Sequence, residues 1–163
     1  MLSDEKKRVN VLVLAGLTGL ILLAFLFYVY SDQNAKDVSM DKIKEALVKD
    51  EAVAAMEEGT ARDVMHYFGI DVNSYEGVIY FKGTEALSVN ELLIVKGSSR
   101  DAVSPVRDAI DSRVDAQIKT FEGYGPEQVA LLNDHIVFQK GNYIFYCTDG
   151  QSGRIAEEFM DVI

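Results

Sequence analysis

Residues 135–148 read HIVFQKGNYIFYCT, two runs of strand-forming residues joined at Lys140-Gly141. Valine, isoleucine, phenylalanine and tyrosine suit a pleated, half-buried surface, and a two-residue break containing glycine is a hairpin signal. This hairpin sets the frame for reading the chain on either side of it.

Upstream, residues 77–82 (GVIYFK) and 91–96 (ELLIVK) form another pair of strand candidates, short and bounded by glycines. From about residue 101 to 122, Val103, Val106, Ile110, Val114, Ile118 and Phe121 recur at spacings of three and four, the stripe of a long helix. Pro105 belongs in its first turn, where a missing donor costs least. Tyr124, Gly125 and Pro126 end it, and residues 126–133 read as one more short turn of helix. Ile155, Ala156, Phe159 and Met160 share one face of a final helix. Strand, strand, helix thus occurs twice, over residues 77–122 and 135–163, with weak identity between the halves. The expected fold class is α+β, with a four-stranded antiparallel sheet in ββα-ββα order and helices packed on one face.

Nearer the N-terminus, Met40, Ile43 and Leu47 follow helical spacing, while residues 49–59 are acidic, alanine-rich and unassigned. Thr60, with Asp63 three residues on, reads as the N-cap of a short helix through Val64, Met65, Tyr67 and Phe68, stopped by Gly69.

Residues 9–30, VNVLVLAGLTGLILLAFLFYVY, are an unbroken apolar run directly after Lys6, Lys7 and Arg8. A membrane-spanning helix needs roughly 20 such residues. The run has 22 and ends in bulky Phe25, Leu26, Phe27, Tyr28, Val29 and Tyr30, where a signal peptidase needs small side chains. The only cysteine, Cys147, is far from any lipoprotein position. The reading is a cytoplasmic tail (1–8), a transmembrane signal anchor (9–30), a tether (31–39) and an extracytoplasmic α+β domain (40–163). The Lys/Arg bias puts the N-terminus in the cytoplasm and the domain outside a cell membrane crossed once. Ala15 and Gly19 form one small-xxx-small pair, through which a homodimer is conceivable. A single span without internal charge removes transport and channel roles for one copy.

The chain carries a formal net charge of −10. Its first eight residues hold three cations and two anions, so the remainder carries −11. Such a domain repels nucleic-acid backbones, and no nucleic-acid partner is expected. One cysteine allows no internal disulfide, and the apolar setting of Cys147 marks a buried thiol.

Catalytic signatures are missing. His66 lies in the short helix and His135 opens a strand, with no nucleophile elbow near either. No Cys-x-x-Cys, paired histidines or calcium loop is present, and no metal or cofactor is expected. Glu57-Glu58, Asp50-Glu51 and Glu157-Glu158 read as solvated neighbours. Tyr80, Phe81, Phe138, Tyr143, Phe145 and Tyr146 all lie in strands, so alternate rings face opposite sides of the sheet. An uncovered aromatic face would be a binding platform. General grounds of burial favour the alternative, in which the first two helices cover it.

Residues 88–96 (SVNELLIVK), Arg113 and Gln117 in the long helix, residues 121–128 (FEGYGPEQ) and residues 140–143 (KGNY) occur in that order after an acidic helical region. In these features the chain resembles an uncharacterised domain-of-unknown-function family of membrane-anchored and lipoprotein surface proteins in Gram-positive, clostridia-type bacteria. The resemblance implies a location and a fold, with no established activity. It singles out Glu91, Arg113 and Tyr124, either as a strand–helix ion pair with a tyrosine at the helix end or as a shared surface site. The functional expectation is a noncatalytic binding or interaction domain at the cell envelope, meeting an envelope protein or small ligand. The alternatives are an envelope hydrolase using carboxylate or histidine chemistry, and a structural subunit of a membrane complex.

Overall fold

The computed structural model describes residues 16–24 and 35–163, and the chain divides between Asn34 and Ala35 into two units. In the first unit, residues 16–24 are helical, with Leu17, Leu20, Ile21, Leu22 and Leu23 exposed. The remainder of the expected span 9–30 lies outside the described residues, as does Ala15 of the small-residue pair. Among the described residues no helix is long and apolar enough to cross a membrane. The expected transmembrane helix is therefore not an element of the observed fold.

The second unit is α+β and built on a five-stranded antiparallel sheet, which corrects the expected count of four. Its helices are α1 (Met40–Leu47), α2 (Glu51–Ala54), α3 (Ala61–Phe68), α4 (Ser104–Phe121), α5 (Pro126–Asn133) and α6 (Ser152–Val162). Its strands are β1 (Glu57–Glu58), β2 (Gly77–Lys82), β3 (Glu91–Lys96), β4 (Ile136–Lys140) and β5 (Tyr143–Thr148), ordered β1-β2-β3-β5-β4 across the sheet. The extra strand is β1, which pairs Glu57 with Lys82 and Glu58 with Phe81 at one edge. Two adjacent glutamates carry no strand propensity, so only pairing to β2 makes this segment extended.

Local chemistry explains most boundaries. Thr60 and Asp63 close a capping box at the start of α3, the Asp63 carboxylate accepting from the Thr60 N–H at 2.7 Å. Gly69 ends that helix with φ 68°, in the left-handed region where glycine carries no penalty. A 3₁₀ turn at Asp101–Val103 leads into α4, whose first turn holds Pro105. The β4–β5 turn is Gly141-Asn142, one residue later than the sequence break, since Lys140 still pairs with Tyr143. Gly141 has φ 56°, at the position that type II′ turns reserve for glycine.

Helices cover both faces of the sheet, not one. Against one face, α1, α2 and α6 place Ile43, Leu47, Val53, Ile155 and Phe159 on Ile79, Leu92, Ile94, Phe145 and Cys147. On the other, α3, α4 and α5 place Val64, Phe68, Val106, Ile110 and Leu132 on Tyr80, Leu93, Val95, Ile144 and Tyr146. Every residue of β3 and β5 is buried, so neither aromatic face of the sheet is open. The repeated strand-strand-helix order is also not a structural repeat. Antiparallel β3 and β5 can be exchanged only by a rotation axis normal to the sheet, which keeps each face on its own side. The two following helices, α4 and α6, lie on opposite faces.

At the Lys96 end of the sheet, the expected tether is docked over its described part. The Tyr143 hydroxyl accepts from the Val38 N–H and donates to the Val38 carbonyl, both at 2.9 Å. Lys96, opposite Tyr143 in the β3–β5 register, donates to the Val38 carbonyl at 3.1 Å and pairs with Asp37. The hydrogen bond to Asp37 outweighs burial and holds the Lys96 ammonium above its ordinary range. Glu91 sits at the other end of the same strand, roughly 17 Å away at about 3.3 Å per residue.

Replacing Ile110, fully buried between α4 and the sheet, by alanine is expected to cost about 2–5 kcal/mol in urea denaturation. Burial pushes the Cys147 thiol from 9.0 up to about 12. The native state then keeps a proton that the unfolded chain loses, so stability falls as pH rises from about 9 towards 12. Denaturation midpoints across that range, compared with a Cys147→Ala variant, check this contribution.

Candidate functional site

Strand periodicity places Glu91 on the α4 side of the sheet together with Leu93 and Val95. Its direct cross-strand partners are Lys82 and Thr148, which makes Tyr80 and Tyr146 its diagonal neighbours on that face. Diagonal positions lie about 7–8 Å apart, within reach of a tyrosine. The Tyr80 hydroxyl donates to Glu91 Oε1 at 2.8 Å and the Tyr146 hydroxyl to Oε2 at 3.4 Å. From α4, Arg113 donates through Nη2 at 2.8 Å and through Nε at 3.3 Å to both oxygens. Thr148 donates in turn to the Tyr146 hydroxyl at 2.8 Å.

Burial explains this arrangement. Glu91 is only 3% exposed, and a carboxylate taken out of water must be paired and hydrogen-bonded to persist as an ion. Burial first, and then the Glu91 charge, drive both tyrosine hydroxyls far above their ordinary range, so they stay protonated as donors. For Arg113, burial disfavours the charge, but the bonds and attraction to Glu91 prevail and raise its pKa. The guanidinium also lies 4.4 Å from the centre of the Tyr67 ring, a cation–π placement.

This cluster borders a cleft of about 330 Å³ between the β2–β3 loop and α4. Tyr67, Lys82, Ser88, Asn90, Gln117 and Thr120 contribute to its walls. Arg113, Gln117 and Thr120 are spaced i, i+4, i+7 on α4 and therefore share one flank. Lys82 is held by Glu57 at 3.2 Å and Asp63 at 3.5 Å. Gln117 differs: it is 6% exposed, and its Oε1 is the one buried side-chain oxygen without a hydrogen-bond partner among the described residues.

A second cleft, of about 450 Å³, shares Gly83, Glu85, Ser88 and Asn90 with the first and reaches Met56 and the exposed Leu87. The shared loop closes on itself through the Gly83 N–H to the Asn90 carbonyl at 2.8 Å. A Cβ on Gly83 would meet the Ser88 hydroxyl at 1.9 Å, so this close approach requires glycine. Asn90 donates to Asp149 at 2.7 Å, tying the loop to the end of β5.

Of the residues singled out in the sequence, Glu91 and Arg113 meet, while Tyr124 stands apart. Tyr124 is 61% exposed, with its ring 5.5 Å from that of Phe121, and it lines neither cleft. Neither histidine lines either of these two clefts. His66 packs edge-on to Tyr67, and His135 Nδ1 lies 2.6 Å from the Leu132 carbonyl. Among the described residues no group of three His, Cys, Asp or Glu side chains is placed to hold a metal ion. Asp50 is not solvated; it caps α2 and pairs with Arg154. Both oxygens of Glu91 are occupied by donors. Arg113 keeps N–H groups that Glu91 does not use, since a guanidinium offers five. The arrangement is equipped for hydrogen-bond recognition.

A family model described as a domain of unknown function, DUF4358, matches residues 49–149, which include every residue of the Glu91 cluster and its cleft. No curated protein and no solved structure matches the chain.

Glu91→Ala leaves the half-buried Arg113 charge without its carboxylate, with an expected cost of about 1–3 kcal/mol. Tyr80→Phe removes one hydrogen bond to a charge, about 1.5–3 kcal/mol. The double variant Glu91→Met with Arg113→Met is expected to recover most of the Glu91→Ala loss in urea denaturation, because no lone charge remains.

Proposed function

The chain belongs to the DUF4358 family of domains of unknown function, and from that premise we propose that it is a noncatalytic interaction domain of the cell envelope. The apolar residues 9–30 and the basic flank Lys6-Lys7-Arg8 support residence at a cell membrane, with the N-terminus cytoplasmic and the domain outside. A membrane-anchored setting in Gram-positive, clostridia-type bacteria accords with the order of sequence features. The observation that carries the binding reading is the cleft beside α4. Its two cations, Lys82 and Arg113, are paired with carboxylates, and polar Ser88, Asn90 and Thr120 line its walls, while Arg113 retains N–H groups that Glu91 does not use. A site whose cations are held by carboxylates and whose walls carry further hydrogen-bonding side chains is suited to holding a partner. The two histidines, the residues best suited to general acid–base work near neutral pH, lie outside it.

A photo-reactive amino acid at Thr120, which is exposed on the cleft wall, is expected to give adducts in intact cells. The same group at Asp111, also exposed but half a rotation away on α4, is expected to give none. Equal labelling from both positions, or none from Thr120, overturns the proposal. Hydrolysis of envelope material by the purified chain, lost in His66→Ala or His135→Ala, would establish the enzymatic alternative instead.

A further inference from the structure

For the second cleft, we propose that it docks a basic segment of a partner protein, with an arginine or lysine side chain seated between apolar neighbours. It shares one loop with the cleft beside α4 but no residue of that helix. The two sites therefore stand or fall separately.

Its apolar surface comes from three directions. Ala52 and Met56 belong to α2 and the turn after it, Leu131 to α5, and Leu87 to the β2–β3 loop. A lone exposed leucine on a loop needs no explanation. Leu87, however, stands at a cleft of about 450 Å³ whose other lining includes Met56, Val89 and Leu131. Against such a wall the methylene stem of a long side chain can lie while its head stays among polar groups.

The charge of the cleft has one sign. Glu85 and Asp149 are the only charged side chains lining it, Glu85 exposed and Asp149 half-buried. Among the described residues no lysine or arginine pairs with either. Asp149 is held by neutral donors, the Asn90 amide and the Gln151 N–H, both at 2.7 Å. They fix its carboxylate in place and bring no opposite charge. An anionic partner is repelled, and a second copy of this chain, with net charge −10, approaches against its own field. A bare metal ion finds too few ligands, since no group of three His, Cys, Asp or Glu side chains gathers among the described residues. A wholly apolar segment would desolvate the carboxylates without answering them. A side chain with an apolar stem and a cationic head meets both the wall and the carboxylates, and arginine and lysine have that form.

The test is an NMR titration of the ¹⁵N-labelled full chain, in micelles of an uncharged detergent, with a capped hexapeptide alternating leucine and arginine. Parallel titrations use the same peptide with glutamine for arginine, and spermidine. Saturable shifts at the Asn90 and Gln128 side-chain amides are expected with the arginine peptide alone. Glu85→Lys, at an exposed site with no ion pair to lose, should weaken that binding roughly tenfold by turning attraction into repulsion. Leu87→Ser should weaken it roughly fivefold through lost apolar contact. Asp111→Lys, which changes net charge equally but lies outside the cleft, should leave it within about a factor of two. Equal losses in Glu85→Lys and Asp111→Lys reduce the effect to net charge and overturn the site. Equal binding of the glutamine peptide overturns the choice of a basic partner, and equal shifts with spermidine overturn a polypeptide in favour of a small cation. Shifts at the same amides that grow with protein concentration alone assign the cleft to a second copy and overturn the proposal. No shift with any probe overturns it too, whatever Thr120 captures in cells.

Discussion

One buried carboxylate organises this domain. Glu91 begins the central strand β3 with almost no contact with water, and its charge survives only because three other elements bring donors to it. Tyr80 comes from β2, Tyr146 from β5 and Arg113 from α4. The cluster thereby fixes the register of three strands and the position of the helix over them. It contributes less to net stability than its bond count implies, since dehydrating both ions offsets much of the attraction. Its stronger effect is selective: a slipped strand or rotated helix would leave an ion alone in the interior.

Arg113, held in this way, also brings Gln117 and Thr120 to the cleft wall, because all three share a flank of α4. The helix is amphipathic in an unusual sense. Val106, Ile110, Val114 and Phe121 bury against the sheet, and Gln117 occupies a position in the same buried row. A polar side chain in an apolar row is where a fold departs from its own packing logic, and such departures concentrate at functional sites.

The strands, the long helix and the caps of α3 were legible because each rests on local chemistry: β-branched and aromatic runs, three-and-four spacing, Thr60 with Asp63, Gly69. Elements set by distant partners were not. β1 is two glutamates that become a strand only beside Lys82 and Phe81. The two-faced covering of the sheet was obscured because α4 and α6 follow similar hairpins, and nothing local states which side each helix takes. The Glu91–Arg113 pair could be named from resemblance, but Tyr80 and Tyr146 could not be assigned to it. Their membership depends on the diagonal register across β2, β3 and β5. In the helix, spacing from Val114 to Phe121 passes through Gln117, but Ile118 beside it satisfies the same three-and-four pattern and conceals the polar position in the buried row.

The docking of Val38 on Lys96 and Tyr143 has a mechanical consequence. Those two side chains belong to β3 and β5, the innermost strands, and sit opposite each other in register. Tension applied to the chain upstream of residue 35 is delivered to the middle of the sheet. There many backbone hydrogen bonds share the load, so neither edge is peeled away one bond at a time. The cleft lies at the far end of those same strands, outside the segment through which a pull would first be felt.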